Sequence, residues 1–191
     1  YVFDGCSERA YDEADALCPL GVYGQTKAAG DAIVATVPRH YIVRTSWVIG
    51  EGNNFVRTMA SLAARGIDPN VVNDQVGRLT FTADLARGIA HLLRTSAAFG
   101  IYNLTSAGEP VSWADIARKV FTLTGHDPVR VAGVSTAEYF AAATAPVAPR
   151  PALSTLNLTK LEATGFVTND WQDLLASSLV IRPGFRSYLV A

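Results

Sequence analysis

The chain has 191 residues, of which 49% are hydrophobic and 17% charged, and its net charge is −1. That length can bury a sizeable core in one domain or two small ones, and the composition excludes a disordered chain. The near-neutral charge leaves no footprint for nucleic acid or an acidic membrane surface, and no apolar run approaches the ~20 residues of a membrane span.

Tyr1-Val2-Phe3 reads as a β-rich segment, and residues 4–22 as a polar loop punctuated by Gly5, Pro19 and Gly21. Cys6 and Cys18 form no CxxC and have no paired His, which argues against zinc; free thiols in a reducing compartment, the cytoplasm, are expected. A helix is predicted over about 23–36, ending before Pro38. Residues 40–44 are a β-branched run read as a buried parallel strand. Thr45, Ser46 and Trp47 then fall at its C-terminal end, where ligands sit in such sheets.

Residues 54–65 predict a helix with Phe55, Met59, Leu62 and Ala63 on one side and Gly66 just past its end. Val71-Val72 reads as a brief strand before a loop at 74–78. Thr82 is positioned to cap the next helix, whose Leu85, Ile89, Leu92 and Leu93 make an apolar stripe. Residues 100–105 are strand-like. Ser112 with Asp115 predicts a capping box, with Ile116, Val120 and Phe121 facing inward and Gly125 ending the helix. Ser135 with Glu138 repeats the box, and residues 141–151 are an Ala/Pro-rich link. A small helix at 159–164 closes at Gly165, and a last amphipathic helix at 170–180 is anchored by Trp171. The alternation of strands and helices argues an α/β fold.

Tyr23 and Lys27, four apart, share one face of the first helix. A phenol is a weak acid at neutral pH, and an ammonium one turn away favours its charged form. Such a pair can give a proton to a carbonyl oxygen as it gains negative charge, or take one from an alcohol. On spacing alone, a surface helix that happens to carry Tyr and Lys is the favoured reading, because Tyr-x-x-x-Lys is a very common pattern.

The neighbouring motifs decide between the two. Tyr1-Val2-Phe3-Asp4-Gly5, Pro19-Leu20-Gly21-Val22-Tyr23-Gly24-Gln25-Thr26-Lys27 and Arg44-Thr45-Ser46-Trp47-Val48-Ile49-Gly50 resemble the extended short-chain dehydrogenase/reductase family. Within it they are most similar to the dTDP-4-dehydrorhamnose reductases. Asn73-Asp74-Gln75-Val76-Gly77-Arg78, Ser112-Trp113 and Arg150-Pro151-Ala152-Leu153-Ser154 extend the likeness to about residue 180.

The resemblance implies that Tyr23 is the general acid and that Lys27 holds the nicotinamide ribose, with Thr45 and Ser46 beside the cofactor. It implies Trp47 and Tyr1 at the sugar, and Arg78 and Arg150 at the nucleotide diphosphate, where a planar guanidinium suits phosphate oxygens. Asn54 and Gln75 are weaker polar candidates, a helix cap and a loop turn being the alternatives. Leu79 stands where many relatives have Pro, which bears on the pose of Arg78. The implied cofactor is NADPH, with NADH the alternative; Mg2+ is implied by resemblance alone. The implied partner is a dTDP-sugar, and a homodimer is compatible. The implied reaction turns dTDP-4-dehydro-L-rhamnose into dTDP-L-rhamnose for surface polysaccharide. A related NAD-dependent epimerase or dehydratase, and a non-catalytic regulatory module, are the competing readings.

The chain contains no GxGxxG or GxxGxxG turn. With the resemblance, this leads to the expectation of a C-terminal portion of a longer protein, with that turn and a catalytic hydroxyl residue upstream. The expected architecture is the C-terminal part of a Rossmann-type parallel sheet, from 1–50 and about 78–104. A smaller α/β substrate lobe comes from about 51–77 and 105–180, and 181–191 are unassigned.

Overall fold

Strands β1 (Tyr41–Arg44) and β6 (Gly100–Asn103) pair in parallel, with Tyr41 opposite Gly100 and Arg44 opposite Asn103. They belong to a computed structural model that describes residues 1–179. The end of the predicted last helix at residue 180 and the unassigned tail lie outside the described residues. β-Branched and aromatic side chains suit these two runs to a pleated surface. Burial alternates along β1, with Ile42 and Arg44 inward, so it is not the continuously buried run expected from its sequence.

Helix α1 (Val22–Val34) is joined to β1 through side chains. The tie between them is ionic: Arg44 Nε donates to Asp31 Oδ2 at 2.9 Å, with side chains only 8% and 18% exposed. Arg44 Nη1 also donates to the Glu13 carbonyl at 3.0 Å, and its guanidinium lies over the Phe3 ring at 5.5 Å. The 4–22 loop is held again at β6, where the Asn103 amide reaches Glu13 and its side chain reaches the Tyr11 carbonyl. Tyr1–Phe3 form no ladder, contrary to their β-rich composition. Val2 and Phe3 are instead buried, and the Val2 carbonyl accepts from Cys18 N.

Three further ladders are only two or three residues long, and only one of their strands was evident in the sequence. β2 (Val48–Ile49) runs parallel to β5 (Thr80–Phe81). β3 (Asn70–Val72), partly foreseen at Val71-Val72, runs parallel to β8 (Ala132–Val134). β4 (Val76–Gly77) runs antiparallel to β7 (Val111–Ser112).

The main core lies among α2 (Phe55–Ala64), α4 (Trp113–Leu123) and α7 (Trp171–Leu179), where Met59, Leu79, Phe121 and Trp171 meet. Ile116, Val120 and Phe121 are fully buried, as the pattern of α4 predicts, and each contributes about 2 kcal/mol. Trp171 also anchors α7 by donating from Nε1 to the Glu109 carbonyl at 2.8 Å. A second core joins β1 and β6 to Leu92, Leu161 and Phe166, and a third joins Val2, Phe3 and Tyr11 to Leu156. Leu156, Leu161 and Phe166 therefore pack on elements from 1–50 and 78–104, while Ser154 N bonds to the Val76 carbonyl.

Helix α3 (Thr82–Arg94) departs from expectation in two ways. Its N-cap is Phe81, without a side-chain bond, and Thr82 is already helical. The Thr82 side chain sits against Gly50 instead, where an added Cβ would come within 2.7 Å of it. The buried line is Asp84, Gly88 and Leu92, while Ile89 and Leu93 are exposed. Gly88 permits this rotation, since a Cβ there would meet Leu104 Cδ1 at 2.2 Å. Both predicted capping boxes form, on α4 and on the short α5 (Thr136–Tyr139). The small helix α6 (Thr159–Glu162) ends before Gly165, whose φ is 85°. Cys6 and Cys18 are free and exposed, and no helix of the described residues is long and apolar enough to cross a membrane.

Burial alone would raise the Asp115 carboxyl, but bonds from the Ser112 hydroxyl and amide, with Arg118, hold it below the usual carboxylate range. A carboxylate depressed in the folded state contributes stability above its unfolded value, and loses it as pH falls through its folded one. Ser112→Ala is expected to cost about 1 kcal/mol near neutral pH and less at about pH 3, as read by urea denaturation. Arg44→Met leaves Asp31 without its buried partner and is expected to cost about 3 kcal/mol. Adding Asp31→Leu should recover most of that loss in the same assay.

Candidate active site

Tyr23, Lys27 and Asp31 recur every fourth residue on α1, and all three line one cavity of about 250 Å3. Across from them the chain leaving β1 supplies Thr45 and Ser46, and Tyr1 and Ser154 close the sides. A second cavity of about 530 Å3 shares Tyr1, Tyr23 and Pro151 with the first and adds Arg150. Six of the ten candidate residues thus gather around adjoining spaces: Tyr1, Tyr23, Lys27, Thr45, Ser46 and Arg150.

Tyr23 is 63% exposed, with the Lys27 Nζ 5.6 Å from its ring centre and the Tyr1 ring edge-on at 6.0 Å. Gly24 lets the chain come close here, because a Cβ would lie 2.1 Å from the Tyr1 carbonyl oxygen. Arg150 Nη1 reaches the Tyr1 hydroxyl at 3.4 Å. The Thr45 and Ser46 hydroxyl oxygens are buried and have no hydrogen-bond partner among the described residues. A cavity with the Lys27 ammonium, the exposed phenols of Tyr1 and Tyr23 and unspent hydroxyls on Thr45, Ser46 and Ser154 suits a polar ligand that carries a carbonyl or ribose hydroxyls. That donor set fits the nicotinamide ribose end of a dinucleotide. Among the described residues no group of three or more His, Cys, Asp or Glu is placed to hold a metal ion, so the Mg2+ implied by resemblance finds no ligand set.

The other four candidates stand apart from both cavities. Asn54 caps α2, accepting from Arg57 N and donating to the Gly50 carbonyl at 2.8 Å. Gln75 is buried and donates to Thr136 Oγ1 at 2.9 Å, beside the Asp74 carboxylate that also binds Thr136. Arg78 is half-buried, and burial pulls its guanidinium below the ordinary value against the opposing effect of Glu109, Glu162 and Asp170. Its Nε is buried and has no hydrogen-bond partner among the described residues. Leu79 is fully buried in the main core, which fixes the backbone next to Arg78 by packing where a Pro would fix it by its ring. Trp47 follows Ser46 directly and stacks on Trp113 at 3.8 Å.

Asp31, Arg44 and Ser154 line the first cavity without having been singled out from the sequence. Asp31 was findable, as the next residue at helical spacing after Tyr23 and Lys27. Ser154 lies in the Arg150–Ser154 motif, and its backbone is fixed by Ser154 N to the Val76 carbonyl at 2.8 Å. Arg44 had no local signal, since its partner is 13 residues away.

A dTDP-4-dehydrorhamnose reductase of Aggregatibacter actinomycetemcomitans is 40% identical over 92% of this chain, and the chain spans 62% of that relative. A dTDP-4-keto-6-deoxy-D-glucose reductase of Streptomyces niveus is 46% identical over 69% of this chain and 46% of its own length. The crystal structure of dTDP-4-dehydrorhamnose reductase from Bacillus anthracis in complex with NADP superposes with a TM-score of 0.82 at 34% identity, covering 93% of this chain and 61% of that one. The chain therefore spans about three-fifths of two of these proteins and a little under half of the third. The family model of the RmlD substrate binding domain matches residues 1–181, and the chain belongs to that family.

Proposed function

We propose that this chain carries the proton-donating helix and the sugar-nucleotide lobe of an NADPH-dependent reductase. Its substrate would be dTDP-4-dehydro-L-rhamnose and its product dTDP-L-rhamnose, a precursor of surface polysaccharide. The observation that carries the reading is the convergence of Tyr23, Lys27, Thr45 and Ser46 on one cavity. NADPH, when bound, supplies the hydride that the carbonyl carbon accepts. Tyr23 supplies the proton, passing it from its hydroxyl to the carbonyl oxygen as negative charge builds there. Lys27, beside the Tyr23 ring, keeps positive charge next to the phenol as the proton leaves and offers its remaining donors to the nicotinamide ribose. Thr45 and Ser46 offer hydroxyls to the same end of the cofactor. Arg150, at the second cavity, is the arginine for the diphosphate, and Tyr1 lies between it and Tyr23. Trp47 presents a flat indole to the apolar face of the deoxysugar.

The Streptomyces niveus relative favours a second reading, in which the same groups reduce dTDP-4-keto-6-deoxy-D-glucose. Comparing kcat/KM for the two keto sugars separates the readings. In either case Tyr23→Phe in the full-length protein is expected to lower kcat by about 10²–10⁴-fold while dTDP-sugar affinity persists. Undiminished turnover in that variant would remove Tyr23 as the acid, whereas absence of turnover in the unsubstituted full-length protein would leave a binding or regulatory module.

A further inference from the structure

Trp47 has a φ of +46°, in the left-handed region that large side chains seldom enter. Residues held in such conformations persist only where their surroundings over-determine them. Here the surroundings act on the residue from three sides. Thr80 fixes the backbone, with its N–H to the Trp47 carbonyl at 3.0 Å and its hydroxyl to the Ser46 carbonyl at 2.6 Å. Gly77 lies against the indole, where an added Cβ would come within 2.9 Å of Cε2 and Cζ2. The Trp113 ring stacks on the indole at 3.8 Å and 18°, and Phe55 backs Trp113 edge-on at 4.6 Å.

Trp113 is itself placed by chain chemistry. It is the first residue of α4, and the Ser112–Asp115 capping box fixes where that helix begins and which way its first side chain leaves. Both indoles are only partly buried against the main core. A partly buried stacked pair, on a strained backbone directly after a cavity-lining serine, is a rigid apolar platform next along the chain from the cavity, though not part of its lining.

We propose that Trp113 is a positioning residue, holding the Trp47 indole in the pose that receives the sugar of the nucleotide substrate. This rests on the reading of Trp47 as the sugar-facing residue. It makes Trp113 and Gly77 determinants of sugar recognition, although neither lines the cavities.

The test uses the full-length protein. The stacked indoles should give an exciton-coupled band pair in far-ultraviolet circular dichroism, lost alike in Trp47→Phe and Trp113→Phe. Trp113→Ala should raise the KM for the dTDP-sugar roughly tenfold and leave the KM for NADPH in place. Trp113→Phe, which keeps a stacking face, should restore most of the sugar KM. Gly77→Ala, which displaces the indole without touching Trp113, should raise the sugar KM in the same direction. If Trp113→Ala fails to fold, Gly77→Ala decides, and an unchanged sugar KM there overturns the proposal. An unchanged sugar KM in Trp113→Ala, with a raised one in Trp47→Ala, also overturns it while sparing the sugar-facing reading. An unchanged sugar KM in Trp47→Ala overturns that reading and the proposal together.

Discussion

The arrangement of the site depends on the ion pair between Asp31 and Arg44. A charge removed from water is costly unless it is paired and hydrogen-bonded, and Arg44 meets that condition with Asp31, the Glu13 carbonyl and the face of Phe3. These contacts come from α1, the 4–22 loop and the first residues of the chain, so one guanidinium sets the spacing of three segments. The cavity lies between the first of these and the end of β1. Tyr23 and Lys27 are two turns and one turn from Asp31 along the same face, and their separation from Thr45 and Ser46 is inherited from that bond.

A second set of ties joins this half to the rest. Segment 151–156 gives and takes backbone hydrogen bonds with Gly5, Tyr11 and Val76, and Pro151 packs against Gly5, whose φ is +79°. The N-terminal loop, Val76 and the Arg150 motif are thereby held on one ribbon. Such closeness requires a residue without Cβ at Gly5 and again at Gly24, which lies under the Tyr1 carbonyl.

What the sequence disclosed is what is encoded locally. Both capping boxes, the inward face of α4, the anchoring role of Trp171 and the placement of Thr45 and Ser46 follow from patterns a few residues long. The ladders of two or three residues escaped because such runs have no periodicity to detect. The stripe on α3 was misjudged because Gly88, a packing surface against Leu104, is invisible to a hydrophobicity pattern. The electrostatics at Arg78 were not legible either: its burial lowers the guanidinium, and the carboxylates that oppose this, Glu109, Glu162 and Asp170, are distant in sequence. Thr82 had the chemistry of a cap, but its side chain is engaged with Gly50.

The strand pairings also bear on how the chain acquires its structure. Among the described residues none of the four ladders joins strands that follow one another in sequence; β1 meets β6, β2 meets β5, β3 meets β8 and β4 meets β7. No hairpin is therefore available to start a sheet, and each ladder has to close a long loop before its hydrogen bonds return any free energy. Apolar strands remain unpaired during that search, so the interleaved topology that assembles the site also leaves the nascent chain open to wrong partners until its distant segments meet.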